Sequence, residues 1–386
     1  HAFFDPVEFE QFQHRPGSFG TSRQADLRAR FLLGDVEPSR GIRRLMTSRI
    51  AAKRETVDAG PALHIIVPTL QCAHSCRYCQ VSRSLESQGH TMSVHDLDAA
   101  CDTVFEGATP ALTVEFQGGD PLLRFDLVKH AILRIQSHNT RHKRRIRFVV
   151  ASTLHQLNSD MCDFFRVQGV YLSTSLDGPK ELHNANRPIP GKNAYERTLA
   201  GIELARAQLG HDAVSALMTT TKNSLACPED IVDEYVRQGF EDIFLRPLSS
   251  YGFAKRNQAV LGYSVQDFFN FYRRGLQRVL HWHRQGVRLR EVYASILLNK
   301  VLSPFDAGYV DLQSPTGAGS SVLVYNYDGF VYPSDEARML AETGDTSMRM
   351  GRIGTPMPTL LNSSVRRELA DASDVDTMDG CRSCVY

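Results

Sequence analysis

The sequence predicts an α/β protein built on a parallel sheet, and three observations carry that expectation. Short β-branched or aromatic runs recur six times, each followed by an amphipathic stretch; the runs are nearly continuous in apolar residues; polar residues gather at their C-terminal ends. In order they are "LHIIVPT" from 63, "ALTVEFQGG" from 111, "RIRFVVAST" from 145, "VYLSTSLDG" from 170, "AVSALMTTTK" from 213 and "DIFLRPL" from 242. Between them stand helical patterns: "VHDLDAACDTVFEG", "FDLVKHAILRIQSH", "SDMCDFFRVQG", "AYERTLAGIELARAQLG" and "PEDIVDEYVRQG". Strand and helix in regular alternation give parallel strands with helices on a face, and chemistry then belongs at the strand C-terminal ends. Six units are two short of a closed eight-stranded barrel, and a doubly wound open sheet would produce the same alternation.

The flanks read differently. Residues 1–62 are charged and mixed, helical from Gln24 to Ala52, and form an N-terminal extension. Residues 63–300 hold the alternating body and the helices that follow it, "VQDFFNFYRRGLQRVLHWHRQG" and "REVYASILLNKVL". Residues 301–386 form a small C-terminal unit, in which "SSVLVYNYDGFVYPSDE" reads as a hairpin around Tyr327-Asp328-Gly329.

Composition excludes several classes. The 386 residues are 42% hydrophobic and 23% charged, which is enough to bury a sizeable core. With 44 Lys+Arg against 43 Asp+Glu, no global field favours nucleic acid or an anionic membrane. The basic run "RHKRRIR" at 141–147 reads as a solvated helix-to-strand turn. No apolar run approaches the ~20 residues of a spanning helix, and the N-terminus lacks a signal pattern, so a cytoplasmic location is expected. A chain that begins with His and stops at "CRSCVY" reads as part of a longer one.

Eight cysteines are too sparse for a disulfide scaffold. Cys101, Cys162 and Cys227 stand alone and read as buried or half-buried thiols in helices. Cys381 and Cys384 form a terminal CxxC. Cys72, Cys76 and Cys79 lie in "CAHSCRYCQ" directly after the first strand, so their thiolates project from the rim of the sheet. Zinc with His74 as fourth ligand is one reading, at the expense of a strained loop. The other is a 4Fe-4S cube with one iron left open for a small molecule.

C-x3-C-x2-C after a first strand, with Tyr78 just before the last cysteine, resembles the signature of the radical S-adenosylmethionine (radical SAM) superfamily. That resemblance spans about 63–260 and implies a partial (β/α)6 TIM-type barrel. It implies that Cys72, Cys76 and Cys79 hold the 4Fe-4S cluster, and that "QGGDP" offers Gly118, Gly119 and Asp120 to the amino group of SAM. Glycines suit that role because they expose backbone oxygen to an ammonium. In "STSLDGPKELHNANRP", strand alternation points Ser173, Ser175 and Asp177 to one face, toward ribose or substrate, and the fork of Arg187 suits the methionine carboxylate. Ser152 and Thr153 stand where relatives carry Thr-Asn. "FLRPL" resembles the stretch whose backbone touches adenine, which points to Leu245 and Arg246, with Tyr78 in the same pocket.

The resemblance also implies a mechanism and partners. An external electron donor of flavodoxin or ferredoxin type reduces the cluster, SAM is cleaved, and the 5′-deoxyadenosyl radical takes hydrogen from an unactivated C–H bond. In relatives with a SPASM or twitch extension, a hairpin Gly-x4-Cys and a later CxxC supply auxiliary clusters. Here Gly329 is present, Ser334 takes the cysteine's place, and "SPTGAGSS" lacks the upstream cysteine. Cys381 and Cys384 then hold one auxiliary cluster completed beyond Tyr386, or the chain has none. The motifs together look most like maturases of ribosomally made peptides of the His-Xaa-Ser system type, which implies a precursor-peptide substrate and a carbon cross-link such as a cyclophane. Asp335 and Glu336 are the candidates for peptide contact or proton removal. An epimerase, a sulfatase-type formylglycine maturase and a zinc-binding module are the competing readings.

Overall fold

The computed structural model describes residues 2–30, 32–34, 39–58, 60–81, 83–85, 88–249, 251–303 and 308–381. Three helices come first, α1 (Pro6–His14), α2 (Thr21–Ala29) and α3 (Arg40–Asp58). The alternating body follows: β1 (Leu63–Thr69), α4 (Val94–Thr103), β2 (Ala111–Gly118), α5 (Phe125–His142), β3 (Arg145–Ala151), α6 (Ser159–Gln168) and β4 (Val170–Ser175). It continues with α7 (Lys180–Asn186), α8 (Ala194–Leu209), β5 (Val214–Leu217), α9 (Pro228–Arg237) and β6 (Asp242–Ile243). After these come α10 (Gly252–Arg256), α11 (Gln258–Leu261), α12 (Val265–Arg284), β7 (Arg290–Glu291) and α13 (Val292–Leu302). The last elements are β8 (Val322–Tyr325), β9 (Phe330–Tyr332), α14 (Asp335–Ala341), β10 (Gly351–Arg352), α15 (Met357–Leu361) and α16 (Ser364–Ser373).

Local chemistry sets several of these boundaries. Ser93 and Asn158 cap α4 and α6 by accepting the backbone N–H of Asp96 and Met161, and Gly169 closes α6 in the left-handed conformation. Ser264 and Asp267 make a reciprocal capping box at the start of α12.

Strands β1 to β5 lie side by side in chain order, all parallel, as the alternation requires. The sixth run contributes less than expected. Only Asp242–Ile243 is strand, paired with β7, while the chain beyond is tied to the segment that follows β5 by the Thr220 N–H to Arg246 carbonyl bond of 2.9 Å. The hairpin does more than expected, because β8 pairs in parallel with the free edge of β1, from Leu63↔Val322 to Ile66↔Tyr325. Strands β9 and β10 then extend that edge antiparallel. All four residues of β8 are buried, as befits a strand covered on both faces. The edge strands β5 and β10 do not pair, so the barrel is partial.

Alternation along the strands separates two surfaces. Ile66, Val114, Phe116, Phe148, Val150 and Leu172 face outward into the main core with Leu97, Ile132, Phe165 and Ile202 of the helices. Burying each such side chain contributes roughly 1.5–3 kcal/mol. On the inner face, Ile65, Val67, Val322 and Val324 pack under Ala337 of α14. Their neighbours Thr113, Glu115 and Gln117 on β2 remain half-buried and polar.

Candidate active site

The three-cysteine loop leaves β1 at Thr69 and is tied down by backbone bonds to distant segments. Cys72 N–H donates to Ser84 O (3.0 Å), Ser75 N–H to Pro188 O (3.0 Å), Arg77 N–H to Asn186 O (3.1 Å), and Phe253 N–H to Cys79 O (2.8 Å). Cys72, Cys76 and Cys79 carry no disulfide and line one cavity of about 220 Å³ at the C-terminal rim of the sheet. Burial pushes the Cys76 thiol up to about 12, with Cys79 and Asp177 adding to the rise; burial, Asp120 and the other two cysteines raise Cys72 further. Thiols so placed carry charge only when a cationic group offsets the burial, as an iron–sulfur cluster does. His74 does not complete a closed site. Its Nε2 lies 3.1 Å from His155 Nδ1, and burial lowers its pKa to about 2.

Two glycines bring the second strand's end against this loop. Gly119 N–H bonds Thr69 O (2.9 Å) and Asp120 N–H bonds Gln71 O (2.7 Å). A Cβ on Gly118 would fall on the Thr69 carbonyl, and one on Gly119 on the carbonyls of Leu70 and Gln71. Gly118 also has φ +131°, which L residues avoid. Close approach of two backbones is therefore what demands glycine here, and the cavity wall is the result.

Most of the expected contacts meet at this cavity: Tyr78, Gly118, Gly119, Ser152, Thr153, Ser173, Ser175, Arg187 and Arg246 all line it. Three others are turned away, each with a physical reason. Asp120 is fully buried and spends its carboxylate on Ser152 Oγ (2.7 Å), Thr153 Oγ1 (2.5 Å) and Leu122 N–H (3.2 Å), fastening the ends of β2 and β3. Asp177 is likewise fully buried; the Tyr78 hydroxyl donates to its two oxygens (2.9 and 2.8 Å) and Arg187 Nε lies 3.4 Å away. The Arg187 guanidinium also rests 5.3 Å from the centre of the Tyr78 ring, so these three form one support beneath the cluster loop. Leu245 is buried, with its N–H bonded to Glu291 Oε1 (3.1 Å). Sequence reasoning missed Gln117, Met218, Thr219, Pro247 and Ser249, which also line the cavity. Gln117 directly precedes the two glycines; the others follow β5 and β6 in stretches whose register the sequence leaves open.

The C-terminal candidates separate. Asp335 and Glu336 open α14 on the inner face, and Ser334 caps that helix by accepting the Ala337 N–H (3.3 Å). Asp335 lies near enough to Glu115 to raise its carboxyl, after burial as the larger cause. Gln117 Nε2 bonds Glu115 Oε1 (2.9 Å), which connects this acidic pair to the cavity wall. Cys381 is exposed on the surface, and Cys384 lies outside the described residues. Cys101 and Cys162 are buried in α4 and α6; Cys227 is half-buried just before α9. Among the described residues no helix is long and apolar enough to cross a membrane.

Residues 66–234 match the model of the radical SAM superfamily. A cysteine-type anaerobic sulfatase-maturating enzyme of Clostridium novyi is 26% identical over 140 residues, 34% of this chain and 37% of that protein. Even for the Methanothermobacter thermautotrophicus protein of undescribed function, 26% identical over 180 residues, the alignment spans 46% of this chain and 65% of the relative. In fold, anSMEcpe with bound AdoMet and the Cp18Cys peptide superposes with a TM-score of 0.69 at 19% identity, over 84% of this chain and 86% of that one. SuiB of Streptococcus suis bound to its precursor peptide SuiA gives 0.59 at 11% identity, over 94% and 80%. Cys72, Cys76 and Cys79 lie within the span that matches the radical SAM superfamily, and the cavity they line fits the cofactors that this superfamily uses, a 4Fe-4S cluster and S-adenosyl-L-methionine.

Proposed function

We propose that this chain is a radical SAM maturase that removes hydrogen from a carbon of a ribosomally made precursor peptide and leaves a side-chain carbon cross-link of cyclophane type. Held by Cys72, Cys76 and Cys79, with electrons from an external carrier of flavodoxin or ferredoxin type, the cluster and SAM would supply the 5′-deoxyadenosyl radical. The chain's own residues do the rest. Gly118 and Gly119 present backbone to the SAM amino group; Ser173 and Ser175 offer hydroxyls to ribose or substrate; Arg246 borders the adenine region. Tyr78, Asp177 and Arg187 keep the cluster loop in register.

One observation carries the peptide reading: polar side chains succeed one another on the inner face, from Gln117 at the cavity wall to Glu115, with Asp335 near enough to act on the Glu115 carboxyl, so a peptide inside the barrel would meet hydrogen-bonding groups. A cross-link removes two hydrogens, one by the radical and one as a proton with an electron returned to a carrier. Asp335, whose side chain is 20% exposed, is placed to take that proton, with Glu336 beside it as a peptide contact. Cys381 with Cys384 could hold an auxiliary cluster only with ligands from elsewhere.

The test is anaerobic incubation with SAM, dithionite and the peptide encoded beside the gene. A product lighter by two hydrogens and equimolar 5′-deoxyadenosine are expected. An unchanged mass with an inverted stereocentre would make the enzyme an epimerase, a formylglycine product would make it a sulfatase-type maturase, and one zinc per chain with no bleachable chromophore would remove the radical reading altogether.

A further inference from the structure

Two cavities lie inside the barrel among the described residues, at opposite ends of its strands. The thiol cavity takes the C-terminal ends, with Gln117 of β2 and Ala151 of β3 on its wall. A larger one, of about 510 Å³, opens among the N-terminal halves of the same strands, where Leu63 starts β1, Thr113 and Glu115 stand on β2, and Arg147 and Val149 stand on β3. Val310 and Ser321, from the chain that leads into β8, line its other side. One hydrogen bond joins the two spaces: Gln117 Nε2–H, on the wall of the first, donates to Glu115 Oε1, on the wall of the second (2.9 Å). At about 3.3 Å per residue of strand, Glu115 lies roughly 10 Å below Gly118.

The second cavity suits a cation on a long apolar stem. Leu63, Val149 and Val310 give it aliphatic walls, and its inner polar atoms are acceptors. Glu115 gives one oxygen to Gln117 and forms no ion pair among the described residues. Ser321 is buried, at 7% exposure, and its hydroxyl has no hydrogen-bond partner among them. The neighbouring cations are turned elsewhere. Arg147 sits opposite Thr113 in the ladder, one pleat nearer the N-terminal mouth than Glu115, and lays its guanidinium 4.5 Å from the centre of the Tyr171 ring on β4. Arg338 is bound to Asp335. Burial raises the Glu115 carboxyl against the Gln117 bond, and Asp335 adds to the rise. A bound ammonium would offset both effects, because an opposite charge favours the ionised carboxylate.

We infer that this second cavity is a specificity subsite that takes a lysine side chain of the precursor peptide, with its ammonium on Glu115. The inference rests on the peptide-maturase reading and deepens it by naming what the peptide carries. The stem lies along the aliphatic walls, and the ammonium donates to the Glu115 oxygen that Gln117 leaves free. An extended peptide advances about 3.3 Å per residue, so this lysine belongs about two to four residues from the carbon that gives up its hydrogen at the cofactor cavity. An acidic side chain is disfavoured there, since only Arg147 at the mouth would attract it and Glu115 within would repel it.

The test uses reconstituted holoprotein with SAM and the peptide encoded beside the gene, made with its own sequence and with each lysine in turn replaced by norleucine or by glutamate. Calorimetry gives the Kd of each peptide for the unaltered protein and for Glu115→Gln, which keeps the Gln117 bond and removes only the charge. Norleucine at one lysine should weaken binding to the unaltered protein by about tenfold, and Glu115→Gln should weaken the lysine peptide by about as much. The two changes together should cost no more than either alone, which is the sign of a direct pair. Losses that multiply at every lysine, or a peptide that has no lysine, would overturn the subsite. Tighter binding of a glutamate peptide would overturn it too and assign the cavity to Arg147. Mass spectrometry of the same mixtures with dithionite separates the two readings. A modified peptide without the coupling removes the subsite and leaves the maturase, whereas coupled binding with no peptide changed removes the maturase and leaves the subsite.

Discussion

Arg338 is completely buried and donates Nε–H to Asp335 Oδ1 at 2.6 Å, while its two terminal nitrogens have no hydrogen-bond partner. Asp335 is thus held by a cation that has almost no other obligation. The pair is asymmetric, with the guanidinium at 0% and the carboxylate at 20% exposure. Asp335→Ala strands a buried charge and should destabilise by about 3 kcal/mol, whereas Arg338→Met leaves a carboxylate that can reach water and should lose about 1 kcal/mol. Urea unfolding checks the order. Asp335→Asn should also uncouple turnover, with 5′-deoxyadenosine still forming and modified peptide falling by about a hundredfold or more, a typical loss for a removed general base.

Cys76→Ala should abolish 5′-deoxyadenosine formation and the iron chromophore, because two thiolates no longer hold the cluster against burial of their own charge. Cys381→Ala should leave 5′-deoxyadenosine formation intact, since that thiol is exposed and does not line the cavity. Iron content and a dithionite-driven assay on both variants decide it; equal rates for Cys76→Ala and the unaltered protein would refute the cluster assignment.

Gly119→Ala puts a methyl group onto the carbonyls of Leu70 and Gln71. Backbone atoms cannot give way as a flexible side chain would, so destabilisation of about 3 kcal/mol is expected. The cluster loop must shift with them, and SAM should bind about tenfold more weakly by calorimetry, while Gly17→Ala, which meets nothing within 4 Å, serves as the control.

His64 sits fully buried in β1 with its Nδ1 3.0 Å from the Tyr325 hydroxyl, and burial, with a smaller push from Arg144, lowers its pKa from 6.5 to about 4. The folded state therefore binds this proton less readily than the unfolded chain does. Above about pH 6.5 both states are neutral and the full stability is present; as pH falls from about 6.5 to about 4 the unfolded state takes up the proton first, and about 3 kcal/mol is lost. Urea midpoints between pH 7.5 and 4.5 should fall more steeply for the unaltered protein than for His64→Gln. An equal slope would show that His64 does not contribute.

The body of the fold was legible because period and punctuation agreed. β1 to β5 and α4, α5, α6, α8 and α9 fall where the alternating runs and capping residues place them, while α7 arises in a stretch the pattern left unassigned. "DIFLRPL" promised a full sixth strand and delivered Asp242–Ile243, since its fate depended on whether β5 or β7 offered a ladder. The hairpin was read correctly as a hairpin. Nothing in "SSVLVYN" shows that the free edge of β1 is its partner, although four consecutive apolar or aromatic residues hint at cover on both faces.

By itself the sequence determined the chemistry available: three cysteines at the end of a first strand, two glycines after the second, and hydroxyls at the end of the fourth. Residue type and spacing carry that much because a strand projects its last residues in a known direction. Only the tertiary structure decided which polar groups are free to act. Asp120 and Asp177 have the right identity and the right address, yet both are fully buried behind the cavity wall, Asp120 accepting from Ser152 and Thr153 and Asp177 from Tyr78 with Arg187 beside it, so neither carboxylate reaches the cavity.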